Sequence, residues 1–274
     1  MHPLIPWFEA PVLEFPLPGG RVLPLHGFGM LVFLGFVFGS RAAMGRARRL
    51  GLDPEVINRL VGWLVVGTFI GGHVGYGLMY KPDEYLQNPI EFLKVWQGLS
   101  SFGGFAVCVP ISIWFFRREK VAVWPYLDCL AYGMALGWFF GRMGCFVAHD
   151  HPGTQTDFWL GVYGICQPNG AKTIACHDLG MYEGLWSLAM FGLFNLMDRR
   201  RWKPGTIVLT LGLTYGPLRF FMDNFRPEYT DPTYGGFTPG QYWSTLLTLV
   251  CLAALVARSR SSDPPIQPVR VAAA

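Results

Sequence analysis

Seven apolar stretches, near residues 23–44, 58–80, 101–116, 121–148, 179–198, 205–224 and 240–257, constrain this chain more than any other feature. Most reach the roughly 20 residues a helix needs to cross a hydrocarbon core, and the third is short enough to be tilted or partly re-entrant. Composition agrees, since 51% of residues are hydrophobic and only 15% charged, whereas a soluble domain carries roughly a quarter. The expected fold class is an all-α integral membrane protein, a seven-transmembrane-helix bundle, in preference to a soluble bundle of buried helices. Residues 1–258 are expected to form a single polytopic membrane domain with an outer-face loop region at 149–178, and 259–274 a disordered cytoplasmic tail. No internal repeat, coiled coil or second folded domain is apparent, and no removable signal peptide is expected, because a basic stretch and a small-residue cleavage site are missing ahead of the first apolar run.

Lysine and arginine set the orientation. Alternate connections and the tail hold Arg41, Arg46, Arg48, Arg49, Arg59, Arg117, Arg118, Lys120, Arg199, Arg200, Arg201, Lys203, Arg258, Arg260 and Arg270; the opposite side holds Arg21, Lys81, Lys94, Lys172 and Arg226. Fifteen against five predicts an outside N-terminus and a cytoplasmic C-terminus. The long connections 81–100, 149–178 and 225–239 then lie outside, where such loops are commonly functional. The Pro- and aromatic-rich stretch up to Gly20 is expected along the outer interface. A net charge of +4 is modest, and no nucleic-acid partner is expected.

The two remaining basic residues, Arg142 and Arg219, fall inside apolar segments, where a charge costs a few kcal/mol and marks a candidate site. Counting from Trp124 at 1.5 Å per residue places Arg142 roughly 27 Å along a helix that spans about 30 Å, near its outer end. Arg219 has Tyr215 and Asp223 a helical turn away on either side and Arg226 beyond, a polar stripe on one face. His26 and the run Ser100–Gly104 come to the same outer level. Two guanidiniums facing one cavity suit a phosphate-bearing ligand, an anionic lipid headgroup above all. The alternative is that Arg142 pairs with Asp150 or Glu183, and Arg219 with Asp223, to lock the bundle. Most glycines are expected to pack helices, but Gly103 and Gly104, at a loop-to-helix junction, could offer backbone N–H groups to an anion.

The six cysteines are scattered. Cys166 and Cys176 share a loop that could carry a disulfide in an oxidising compartment. A metal-dependent membrane hydrolase using His149, Asp150, His151, Cys166, Cys176, His177 and Asp178 is a competing reading, although the spacing matches no firm zinc pattern.

Several motifs in one order resemble the bacterial prolipoprotein diacylglyceryl transferases. The run G-R-M-G-C-F-V-A-H-D-H-P-G, Gly141 to Gly153, is similar to that family's G-R-x-G-N-F-x-N-x-E-x-x-G. L-H-G-F-G-M-L-V-F-L-G-F at Leu25 resembles its first helix, and G-Y-G-L-M-Y with L-Q-N-P-I-E-F-L-K-V-W-Q-G-L-S-S-F-G-G its second helix and the run into its third. C-H-D-L-G-M-Y-E at Cys176 is similar to its H-P-S-Q-L-Y-E, and Y-G-P-L-R-F-F-M-D-N-F-R at Tyr215 to its Y-G-x-x-R-x-x-x-E-x-x-R. The resemblance implies a seven-helix inner-membrane transferase that moves the diacylglyceryl group of phosphatidylglycerol onto the lipobox cysteine of a prolipoprotein, releasing glycerol phosphate. It implies Arg142 and Arg219 as the phosphate clamp, Asp150 as the signature acid and Gly153 as its last glycine.

The chain also departs from that pattern. Phe102 stands where a histidine is expected, Phe28 replaces an aromatic hydroxyl, Cys145 and Ala148 replace two asparagines, and His73 replaces an arginine. A cysteine thiol needs a base or a positive field to ionise at neutral pH. His149 or His151 is therefore expected to compensate as base, oriented by Asp150, while the arginines stabilise the departing phosphate without a metal or other cofactor. A degenerate member that binds lipid or precursor without catalysis is the alternative.

Overall fold

The computed structural model describes residues 2–19, 21–94, 98–166, 173–227, 230 and 233–266. Lys172, Arg270 and the tail 267–274 therefore lie outside the described residues. The protein is mostly helical, and each of the seven apolar stretches carries one long helix: α1 (Gly27–Arg49), α2 (Pro54–Tyr80), α4 (Ser101–Glu119), α5 (Val123–Ala148), α6 (Leu179–Met197), α7 (Thr206–Asp223) and α8 (Pro239–Ser259). A short helix, α3 (Pro82–Gln87), and a 3₁₀ turn at Pro89–Leu93 fill the connection after α2. Among the described residues four helices, α1, α2, α5 and α8, are long and apolar enough to cross a membrane. On α8, Leu249, Val250 and Val256 are all more than half exposed, which suits lipid and not water.

Local signals explain where the helices begin. Asp53 accepts the Glu55 N–H ahead of Pro54, Ser100 accepts that of Gly103, Asp178 accepts that of Met181, and Thr238 with Gln241 forms a capping box on α8. Each cap satisfies N–H groups that the first turn leaves free.

Among the described residues, five strands depart from an all-α reading. β1 (Val12–Leu17) and β2 (Arg21–His26) form an antiparallel hairpin, so the first apolar stretch starts as strand and its helix continues to Arg49. β3 (Pro152–Gln155), β4 (Val162–Tyr163) and β5 (Ala175–Asp178) make a sheet of order β3-β5-β4. Ile5 bridges in parallel to Val162. Cys166 and Cys176 are joined as a disulfide, with Cα atoms 5.4 Å apart.

The chain divides into two compact units. In Gly51–Tyr126, α2 and α4 approach so closely that a Cβ on Gly103 would lie 2.2 Å from the Gly71 carbonyl oxygen, a contact only glycine permits. His73 is fully buried there, its Nε2 2.9 Å from the Glu91 carbonyl.

The unit of Met1–Leu50 with Leu127–Ala274 holds the candidate site. Its α1 and α5 cross at Gly39 and Gly133, where a Cβ on Gly133 would stand 2.3 Å from the Gly39 carbonyl oxygen. Ala131, Tyr132, Ala135, Phe194, Ile207 and Leu211 tie α5, α6 and α7 together. At one end of this core Arg46 and Arg49 share Asp198, and buried Asp128 accepts the Gly205 and Val208 N–H groups at the start of α7. Past α8, the chain returns to pair Ile266 with Trp202.

Candidate functional site

Glu183 sits on the second turn of α6, 1% exposed, and reaches two arginines from two other helices. Its Oε2 lies 2.6 Å from Arg142 Nε on α5, and its Oε1 lies 3.5 Å from Arg219 NH1 on α7. Tyr215, one turn before Arg219, donates its hydroxyl to Glu183 Oε2 at 3.3 Å. Arg219 also pairs with Asp223 at 2.8 Å, and Arg226 approaches the same carboxylate oxygen at 3.4 Å. Thr238, the cap of α8, donates to the other Asp223 oxygen. Arg142 lies over the Trp138 ring at 4.9 Å. In this cluster three guanidiniums meet two buried carboxylates, so the local charge balance favours an anion. Both sequence alternatives are therefore visible together, with the arginines paired as a lock would require and held side by side as a clamp would require.

Of the residues singled out by sequence, Arg142, Tyr215, Arg219, Asp223 and Arg226 come together. Glu183, the residue that joins them, appeared in sequence as a possible partner of Arg142 or of His177. Its available signal was a carboxylate at the start of an apolar helix, in the C-H-D-L-G-M-Y-E run.

Beside Arg142, the chain leaves α5 through His149, whose φ of +54° turns the backbone sharply. His151 follows with Nδ1 2.5 Å from Asp150 Oδ1 and Nε2 3.5 Å from Arg142 NH1. The hydrogen bond to Asp150, and then the contact with Cys145, raise the His151 pKa to about 9. His149 points elsewhere: its Nε2 lies 2.9 Å from the Phe8 carbonyl, and its ring packs on Phe8 at 4.5 Å. It fastens the N-terminal segment, so only His151 of the two candidates stands at the arginines.

Gly153 owes its identity to space. A Cβ there would come within 2.8 Å of the Phe225 carbonyl oxygen, while Thr154 N donates to that same oxygen at 2.7 Å. His26 caps the start of α1 without a side-chain hydrogen bond. Together with Pro11, Pro24, Leu25, Phe28 and Asp150 it lines a cavity of about 610 Å³. Gly103 and Gly104 belong to the other unit. Their N–H groups are already engaged, Gly103 with Ser100 Oγ at 3.4 Å and Gly104 with the Ser100 carbonyl at 3.0 Å, which is a capping role and not an anion site.

The metal set read from sequence is dispersed. Cys166 and Cys176 are bonded to each other, His177 Nδ1 lies 2.9 Å from the Tyr182 hydroxyl, and Asp178 caps α6. Burial lowers the His177 pKa and raises that of Asp178 to about 7.

Apolar spanning helices around a buried cluster of arginines and carboxylates define a polytopic membrane protein with an internal cationic site. The chain belongs to the prolipoprotein diacylglyceryl transferase family, whose profile matches residues 20–257. It is similar to proteins named phosphatidylglycerol–prolipoprotein diacylglyceryl transferase. That of Chromohalobacter salexigens is 30% identical over 91% of this chain and 93% of the relative. Those of Haemophilus influenzae (28%; 87% and 88% covered) and Bordetella avium (29%; 88% and 94%) follow.

Proposed function

We propose that this protein transfers the diacylglyceryl group of phosphatidylglycerol to the lipobox cysteine of prolipoproteins, forming a thioether and releasing glycerol phosphate. The names of its relatives support the substrates. The observation that carries the chemistry is the bridging of Arg142 and Arg219 by Glu183. Guanidiniums held in place before the reaction stabilise charge that develops on a leaving phosphate without reorganising, and the carboxylate between them prevents the two cations from separating. Tyr215 and Asp223 orient the same pair. His151, protonated at neutral pH by its hydrogen bond to Asp150, adds to the positive field that favours the thiolate, while His26 and the cavity it lines give the lipid or the precursor a way in.

The finer arrangement belongs to this reading too: seven spans in the bacterial inner membrane, N-terminus outside, C-terminus cytoplasmic, one membrane domain over 1–258 and a tail from 259. The fifteen-to-five distribution of basic residues supports it.

An assay of purified protein with phosphatidylglycerol vesicles and a lipobox peptide tests the function. Arg142→Ala and Arg219→Ala are each expected to lower transfer by at least about 100-fold; full rates in both would exclude the clamp. The departure at Phe102 favours a second reading, a member that binds lipid or precursor without catalysis. Failure of the well-expressed wild type to rescue a transferase-depleted strain selects that reading.

A further inference from the structure

We propose that the cavity at the start of α1 seats the stretch of precursor chain that follows the lipobox cysteine, and not the lipid. The identity of the occupant rests on the transferase reading; the bias of the cavity against an anion does not.

The cavity forms where the β1–β2 hairpin runs into α1. Gly27 N donates to the Pro11 carbonyl at 2.7 Å, and His26 pairs with Val12, so the first turn of the helix stays fastened to the strand before it. Leu25, His26, Phe28 and Met30 from this junction, with Ala148 and Asp150 from the exit of α5, line about 610 Å³, within the roughly 300–1,000 Å³ of ligand pockets. Gly29 lines it too, and a Cβ there would meet nothing within 4 Å. The space therefore reaches the helix backbone.

Charge, depth and continuity select the occupant. Among the described residues, the lining carries one carboxylate, Asp150, and no lysine or arginine. Glu14 pairs with Pro24 and so stands on the sheet face of Pro24 and His26, adding a second carboxylate to that face. A phosphate here would meet anions and no guanidinium, whereas Arg142, Arg219 and Arg226 gather around Glu183 and Asp223. Ala148 lies six residues beyond Arg142 on α5, about 9 Å further toward the helix end. A lipid held at Arg142 by its phosphate extends its acyl chains the other way, into the hydrocarbon core.

The cavity nevertheless adjoins the arginines. Asp150 lines it and holds His151 Nδ1 at 2.5 Å, and His151 Nε2 lies 3.5 Å from Arg142 NH1. A thiol brought between His151 and Arg142 has the cavity directly outward of it. The chain of a secreted precursor continues outward from its cysteine, so the residues after the cysteine enter, and the apolar walls take uncharged side chains.

Transfer by the full-length protein in mixed micelles tests the assignment, with phosphatidylglycerol and two lipobox peptides, one ending at its cysteine amide and one continuing into a short uncharged tail. The wild type should show the lower KM for the longer peptide. Gly29→Leu fills the cavity from a helical position with open space and improves helix propensity. It should raise the KM of the longer peptide about 10-fold or more, leave the KM of the short peptide and of phosphatidylglycerol unchanged, and not lower the thermal midpoint. Gly192→Leu, at an equally open position on α6, should change none of these. A raised KM for phosphatidylglycerol in Gly29→Leu, equal KM values for the two peptides in the wild type, or indifference of the longer peptide to Gly29→Leu overturns the proposal. If no form of the protein transfers lipid, the transferase reading fails, and fluorescence anisotropy of the labelled peptides decides the cavity separately. Tighter binding of the longer peptide that Gly29→Leu removes then supports the peptide seat, and equal binding overturns it.

Discussion

Glu183 is the carboxylate that bridges Arg142 to Arg219, whereas Arg219 keeps a second partner in Asp223. Replacing it by glutamine keeps the shape but leaves Arg142 and Arg219 repelling each other in a buried setting, where breaking an ion pair costs about 3–5 kcal/mol. Glu183→Gln is expected to lower both the thermal midpoint and the transfer rate, and an unchanged midpoint in detergent would show that the bridge is dispensable. Asp178 offers a pH test. Its buried Oδ2 has no hydrogen-bond partner among the described residues, and burial raises its pKa from 3.8 to about 7. A carboxyl with a raised folded pKa favours the folded state while protonated, so stability should fall as pH rises from about 4 through about 7. Asp178→Asn keeps a capping side chain and removes the ionisation. It should gain stability at pH 8, by at most about 4 kcal/mol, and little at pH 4; equal gains at both values would exclude ionisation as the cause.

Among the elements, the long helices were legible because each rests on an apolar stretch that hydropathy marks along the chain. The strands were not. β1 and β2 are held by pairing with each other, and β4 is two residues long, too short for alternation to register. His149 shows the same limit, since its partner Phe8 lies on a distant segment. At the crossing of α1 and α5, Gly133→Val should clash with the Gly39 carbonyl and cost about 1–3 kcal/mol or more. A lowered thermal midpoint is the expected readout, and a midpoint equal to wild type would mean that the helices separate without penalty.

For the whole molecule, the basic residues divide unequally between alternate connections. A green fluorescent protein fused after Ala274 is expected to fluoresce, and a cysteine introduced near the N-terminus to react with an impermeant maleimide on spheroplasts. Dark fusions with reactive C-termini would invert the topology. The sequence alone determined seven apolar helices, their charge asymmetry and the order of motifs, since hydropathy and charge are read residue by residue along the chain. Tertiary structure alone decided that Glu183 joins Arg142 to Arg219, that His151 and not His149 faces them, and that Cys145 meets Asp150 and His151. Those contacts depend on which helix faces pack together and on how sharply one turn bends, and a one-dimensional pattern of residue types carries neither.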